Sequence, residues 1–170
     1  MQYRFLMKKW MILLAAPILM SPSVLDEKEE ALAVHNQARE AVGQAPLEWS
    51  NSLERDAQVY ANYLARRDRG LVHDRNNKKD GENIYMSYYH SVDDEENYLK
   101  SASESWFEEI QDYQYEKIPG RDFHKTGHYT QMIWSTTTKV GIAWAISNTG
   151  KVYVVARYNP PGNMIGSFPY

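Results

Sequence analysis

The sequence contains no cysteine, so whatever it folds into must be held by packing and hydrogen bonds alone. No disulfide can staple a small core, and no thiolate can act as nucleophile or metal ligand. Such a chain needs enough length to bury a core of its own. Its 170 residues provide that within one domain.

The first 23 residues read differently from the rest. Arg4, Lys8 and Lys9 give a positive start, and 10–20 is an apolar run. Ser21-Pro22-Ser23 then offers small residues at the −3 and −1 positions of a cleavage after Ser23. This is the order of regions in a secretory signal peptide. The run is too short to cross a bilayer, which takes about 20 apolar residues. The expected organisation is a signal peptide at 1–23 and a single domain at 24–170, placed outside the cell or in a periplasm. A buried N-terminal helix or an uncleaved anchor are the alternatives. No later segment has transmembrane length. The whole chain has a formal charge of −3, with 19 Lys+Arg against 22 Asp+Glu. Without the three basic residues of 1–23, 16 remain against 22, a charge of −6. An acidic domain repels phosphate backbones, so nucleic acid is not an expected partner.

Periodicity predicts a helix over 26–42. Asp26 and Glu29 form a capping box, Ala31, Val34, Ala38 and Val42 keep one face, and Gly43 ends it. A second helix is predicted over 50–69, with Leu53, Ala57, Tyr60, Ala61 and Leu64 in one stripe and Gly70 after it. The polar, basic stretch 72–80 reads as a loop, 82–86 as a short strand and 88–94 as a tyrosine-rich loop. A third helix is expected over 94–111, with an acidic first turn and with Leu99, Ala102, Trp106 and Ile110 facing the core. Residues 112–127 read as irregular around Pro119-Gly120, and 128–134 as a short helix. Strands 139–147 and 151–158 flank the turn Asn148-Thr149-Gly150. Both are apolar at nearly every position, so both faces of their sheet should be covered. The expected fold class is α+β, a three-layer α/β/α sandwich.

No Gly-rich phosphate loop, His-Glu-x-x-His helix or Gly-x-Ser-x-Gly elbow is present. Ser87 and Ser135 lack the setting of a nucleophile. Five histidines remain. His73 follows the second helix and His128 follows Gly127, both beside backbone able to turn side chains into a cleft. His90 and His124 fall in polar loops and His35 in the first helix. A histidine on its own is more often a surface or hydrogen-bonded core residue than a ligand.

The order of short motifs says more. Gly127-His128-Tyr129-Thr130-Gln131-Met132-Ile133-Trp134 resembles one signature of the CAP superfamily, the group of cysteine-rich secretory proteins, antigen 5 and pathogenesis-related proteins, whose module is also called the SCP domain. The stretch from Val154 through Arg157-Tyr158-Asn159-Pro160 to Asn163 resembles a second. His35-Asn36-x-x-Arg39, Gly81-Glu82-Asn83-Ile84 and Trp106-Phe107-x-Glu109 agree in order, so the resemblance covers 32–170. Ala156 stands where many members carry a cysteine, which points to a cysteine-free, bacterial-type member without the cysteine-rich C-terminal extension of some relatives.

The resemblance implies a CAP/SCP-type sandwich with a cleft holding two histidines and two acidic residues: His73, Glu82, Glu109 and His128. Periodicity agrees with the motif on Glu109 over Glu108. At 100° per residue Glu109 lies about 80° from the core stripe, and Glu108 points to solvent. Two imidazoles can bind a divalent ion, zinc foremost, with His73 and His128 as ligands and the glutamates as acceptors behind them. Two ligands are few, so weak binding is expected. The alternative is a hydrogen-bonded cleft without metal. Tyr85, Tyr88 and Tyr89 either cover the sheet edge or, as in some relatives, contribute to lipid binding. The favoured function is a secreted binding module for a lipid, a metal ion, a cell-envelope component or a partner protein. The competing one is a metal-assisted hydrolase using the same four residues on a peptide or envelope bond.

Overall fold

Along 51–67 apolar residues recur every three or four positions, and the chain winds into one long helix. The computed structural model describes residues 26–89 and 96–170. In it, α1 spans Glu27–Glu40, β1 Glu48–Trp49, α2 Asn51–Arg67, β2 Gly81–Tyr88 and α3 Tyr98–Glu108. A 3-10 turn at Glu109–Gln111 continues α3, followed by α4 at Phe123–Met132, β3 at Lys139–Ile146 and β4 at Lys151–Asn159. The sheet order is β1-β3-β4-β2. β4 lies antiparallel between β3 and β2, and β1 runs parallel to β3.

Side chains alternate across a strand, and β4 shows what each face meets. Tyr153 and Val155 join Ala57, Ala61 and Leu64 of α2 in one apolar cluster. Val152, Val154, Ala156 and Tyr158 join Ala31, Ala102, Trp106 and Met132, from α1, α3 and α4, in another. Helices on both faces make a three-layer α/β/α sandwich, as expected. The same alternation places the ends of β2 and β4. Glu82 pairs in register with Arg157, and Asn83 with Ala156. Glu82 therefore faces the α2 side with Arg157, while Asn83 faces the α4 side with Tyr158.

Several local expectations are corrected. Asp26 stands at the N-cap of α1 but its side chain makes no capping bond, so the capping box does not form; Glu27, Glu29 and Glu30 favour the helix dipole instead. Glu96 and Asn97 precede α3 rather than lying in it. Asn97 caps it by accepting from the Lys100 N–H, and the first turn has no acidic residue. Residues 94 and 95 lie outside the described part. Ile110 is 40% exposed, because the chain tightens after Glu108 to three residues per turn and its phase leaves the core. Residues 123–127, expected to be irregular, form the first half of α4. Tyr88, expected in the tyrosine-rich loop, is the last residue of β2, an edge strand that holds Tyr85 as expected. The two-residue β1 has no counterpart in the sequence reading.

Arg39 ties α1 to the end of α4. Its guanidinium is buried and donates to the carbonyls of Ala45, Met132, Trp134 and Thr137. The last carbonyls of a helix have no partner within it, so one arginine both caps α4 and fixes where it stops.

Candidate functional site

The cleft lies where the edge strand β2 meets α4. Two histidine–glutamate pairs form there, one from each side of the sheet. On the α2 side, Nδ1 of His73 is 2.6 Å from Oε1 of Glu82. The Asp74 N–H donates to the same oxygen at 3.0 Å. Arg157 holds the other oxygen of Glu82 at 2.5 Å and bonds Asp74 at 2.9 Å. Arg157 and Glu82 are both nearly buried, while 63% of the His73 side chain is exposed. Burying a carboxylate is costly unless a charge and hydrogen bonds replace water. Arg157 provides the charge, and Glu82 then orients the ring above it.

On the α4 side, Nδ1 of His128 is 2.6 Å from Oε1 of Glu109. Oε2 accepts from the N–H groups of His128 and Tyr129, each at 3.0 Å. The 3-10 turn after α3 delivers Glu109 to this point, and Glu108 beside it is exposed. A carboxylate accepting Nδ1–H sets the tautomer, so each ring carries its free lone pair on Nε2.

Asn83 joins the two sides. Its amide donates to the His128 carbonyl at 3.1 Å and to the Tyr158 hydroxyl at 3.0 Å. From the tail, Asn163 donates to the Gly127 carbonyl at 2.8 Å and accepts from Thr130 at 2.7 Å. Gly162 has no room for a side chain, since a Cβ there would stand 2.7 Å from Trp134. The resulting cleft has a volume of about 250 Å³. His73, Glu82, Asn83, His128 and Asn163 line it.

All four sequence-derived residues thus meet in two pairs. His73, Glu82 and His128 line the cleft, and Glu109 stands behind His128. His124, read as a loop residue, lies one turn before His128 on α4 and also lines the cleft. His90 lies outside the described residues. His35 is buried in the core. Its Nδ1–H donates to the Ala31 carbonyl at 2.9 Å and its Nε2 accepts from the Tyr158 hydroxyl at 2.8 Å. Among the described residues, no three His, Asp or Glu side chains cluster as a metal cage. Asp74 and Arg157 were not singled out in the sequence. Arg157 left a usable signal, being the one charged residue inside the apolar stretch 152–158; a cation at such a position needs a buried counter-charge.

The profile of CAP, the cysteine-rich secretory protein family, matches residues 32–158. The chain belongs to the CAP family. Pathogenesis-related protein 1B of Nicotiana tabacum is 34% identical over 145 residues, covering 85% of this chain and 82% of its own. Human Golgi-associated plant pathogenesis-related protein 1 is 35% identical over 138 residues, covering 80% and 84%. Among solved structures, that of NaASP2 with Zn2+ aligns with a TM-score of 0.71 at 28% identity, over 88% of both chains. BmVAL-1 aligns with the same score at 25% identity, over 85% of this chain and 81% of its own. Membership makes this chain an interaction domain of the general CAP type, built without the cysteines for which the family is named. Among the described residues, no helix is long and apolar enough to cross a membrane.

Proposed function

We propose that this CAP domain is an exported binding module whose cleft takes a divalent metal ion, zinc foremost, through Nε2 of His73 and His128. The observation that carries this reading is the matched pair of 2.6 Å contacts from each Nδ1 to a glutamate. Metal-bound histidines commonly direct their other nitrogen to a carboxylate in this way. The donor set fits zinc, which accepts imidazole nitrogen and leaves positions for water when protein ligands are few. A bound ion would supply a Lewis-acidic point at which a ligand's oxygen could attach. The Zn2+ in the NaASP2 structure supports the choice of metal. Glu82 and Glu109 use their oxygens on the rings, on backbone N–H groups and on Arg157. That favours holding a ligand over proton transfer in hydrolysis.

Zinc titration by calorimetry at fixed pH tests the reading. His73→Ala and His128→Ala should each remove most binding, and the double variant should lose little more, because two ligands of one ion are coupled. Glu109→Gln and Glu82→Gln should each weaken binding by roughly 10–100-fold. Affinity should fall as pH is lowered, since protons compete with the metal for the imidazole nitrogens. Independent, additive losses from the two histidine variants would separate them and end the case for a shared site.

A further inference from the structure

The cleft is not the most spacious concavity on this face of α2. A groove of about 610 Å³ lies between α2 and the segment 71–76 that follows it. The two walls run antiparallel. Tyr60 donates its hydroxyl to the Val72 carbonyl at 2.7 Å, and Lys79 reaches back to Asp56 at 3.2 Å. Val59, Tyr60, Tyr63 and Val72 make an apolar stretch along it. Val59 is 69% exposed and Tyr63 40%, although the Tyr60 and Tyr63 rings stack at 5.4 Å. Apolar side chains left open one helical turn apart on one wall of a groove are a surface awaiting cover.

Charge bounds the groove at both ends. Arg66 and Arg67 lie at the C-terminal end of α2, with the Arg67 guanidinium 5.6 Å from the Tyr63 ring centre. Arg75 stands on the facing wall, toward Asp56. None of the three has a carboxylate partner among the described residues, whereas the nearby acids are engaged. Asp68 pairs with Lys151, Asp74 with Arg157, and Asp56 with Lys79. In a chain of net negative charge, three unpaired arginines around one apolar groove form a local field of the opposite sign. The backbone adds a third feature. The N–H groups of Val72 and His73, two of the residues lining it, make no hydrogen bond among the described residues.

We propose that this groove docks an extended acidic peptide segment carrying an apolar or aromatic side chain between its carboxylates. The length agrees: Asp56 to Arg67 is about 16 Å of helix, the span of about five extended residues. The carboxylates meet the arginines at the ends, and the central side chain covers Val59 and Tyr63. A flat bilayer cannot enter a concave groove, and an apolar floor gives nothing to a uniformly charged polyanion. The site shares only His73 with the cleft, so it stands whether or not the cleft binds metal.

The test uses a fluorescein-labelled peptide amide, Glu-Glu-Leu-Phe-Glu-Glu, followed by anisotropy on the whole protein. Binding should be saturable and should weaken with added salt. R66E/R67E and, separately, Val59→Asp should each raise Kd by roughly tenfold or more. These positions are exposed, and thermal melting of each variant verifies the fold. Replacing Leu-Phe by Gly-Ser, or every Glu by Lys, should abolish binding. The proposal is overturned by absent binding to the wild type, by an unchanged Kd in R66E/R67E, or by equal binding of the Lys peptide. It is overturned equally if vesicles containing anionic lipid bind through these arginines while the peptide does not.

Discussion

Three histidines in this CAP domain donate Nδ1–H to an oxygen, and the kind of oxygen separates their roles. His73 and His128 face the carboxylates of Glu82 and Glu109. His35 faces a backbone carbonyl and a phenol hydroxyl within the core. Burial pushes its pKa down to about 4, opposed in part by the Ala31 carbonyl and aided by the Arg39 charge. Burial likewise holds the Tyr158 phenol well above its usual range, so that hydroxyl remains the donor to Nε2. A histidine whose folded pKa lies below its unfolded one contributes stability that is complete above the unfolded value. It is lost as pH falls through the window from about 6.5 toward 4. The unfolded chain takes up the proton there and the folded one does not. The loss reaches ~3 kcal/mol at most. Asp68, held near 2 by bonds from Thr149 and Lys151, acts below that window. Urea denaturation of wild type and His35→Gln between pH 7 and pH 4 should therefore diverge. The variant should be less stable at neutral pH and should lose less on acidification. Parallel profiles would mean that His35 is protonated in the fold.

At the scale of elements, the sheet and α2 approach each other more closely than side chains normally allow. A Cβ added at Gly141 on β3 would sit 2.2 Å from the Glu54 backbone nitrogen and 2.7 Å from the Leu53 carbonyl carbon. Both are backbone atoms, so α2 itself must move. Gly141→Ala should cost about 3 kcal/mol, at the upper end of overpacking effects. Leu64, fully buried in the same interface, should cost roughly 2–5 kcal/mol as Leu64→Ala. Chemical denaturation checks both, and a loss below about 0.5 kcal/mol at either would place that position outside the packed interface. The α2 stripe was legible because five apolar residues keep helical phase over three turns. The start of α4 was not, since Phe123 to Gly127 has no apolar period and follows Pro119-Gly120. What holds α4 is Arg39, 93 residues away from Met132 in sequence, and a contact of that span leaves no local trace. The same limit hid Asp74 behind Glu82, whereas Arg157 had a local signal in its lone charge within an apolar strand. Motifs named both members of each histidine–glutamate pair and contained Arg157, but did not show its role beside a buried Glu82. Ile110 failed for a local reason: extrapolating 100° per residue breaks down where an α-helix tightens into a 3-10 turn.

For the whole molecule, the question is which part of the chain the fold needs. Among the described residues, every member of the two core clusters lies at or beyond Ala31. Asp26 and Glu27, at the start of α1, are exposed. The sandwich is thus closed by residues well downstream of Ser23, with helices on both faces of the sheet and no covalent staple. If 1–23 is a leader, its removal should leave these clusters intact, and a domain without cysteine needs no oxidant to fold. Charge points the same way, because 1–23 carries basic residues ahead of its apolar run and no acidic ones. Protein recovered from the medium or periplasm of cells expressing the full chain should give an N-terminal sequence beginning near Val24. A chain begun at Val24 should match the recovered protein in stability within about 0.5 kcal/mol. Recovery of soluble cytosolic protein with Met1 intact would rule out a cleaved leader at 1–23.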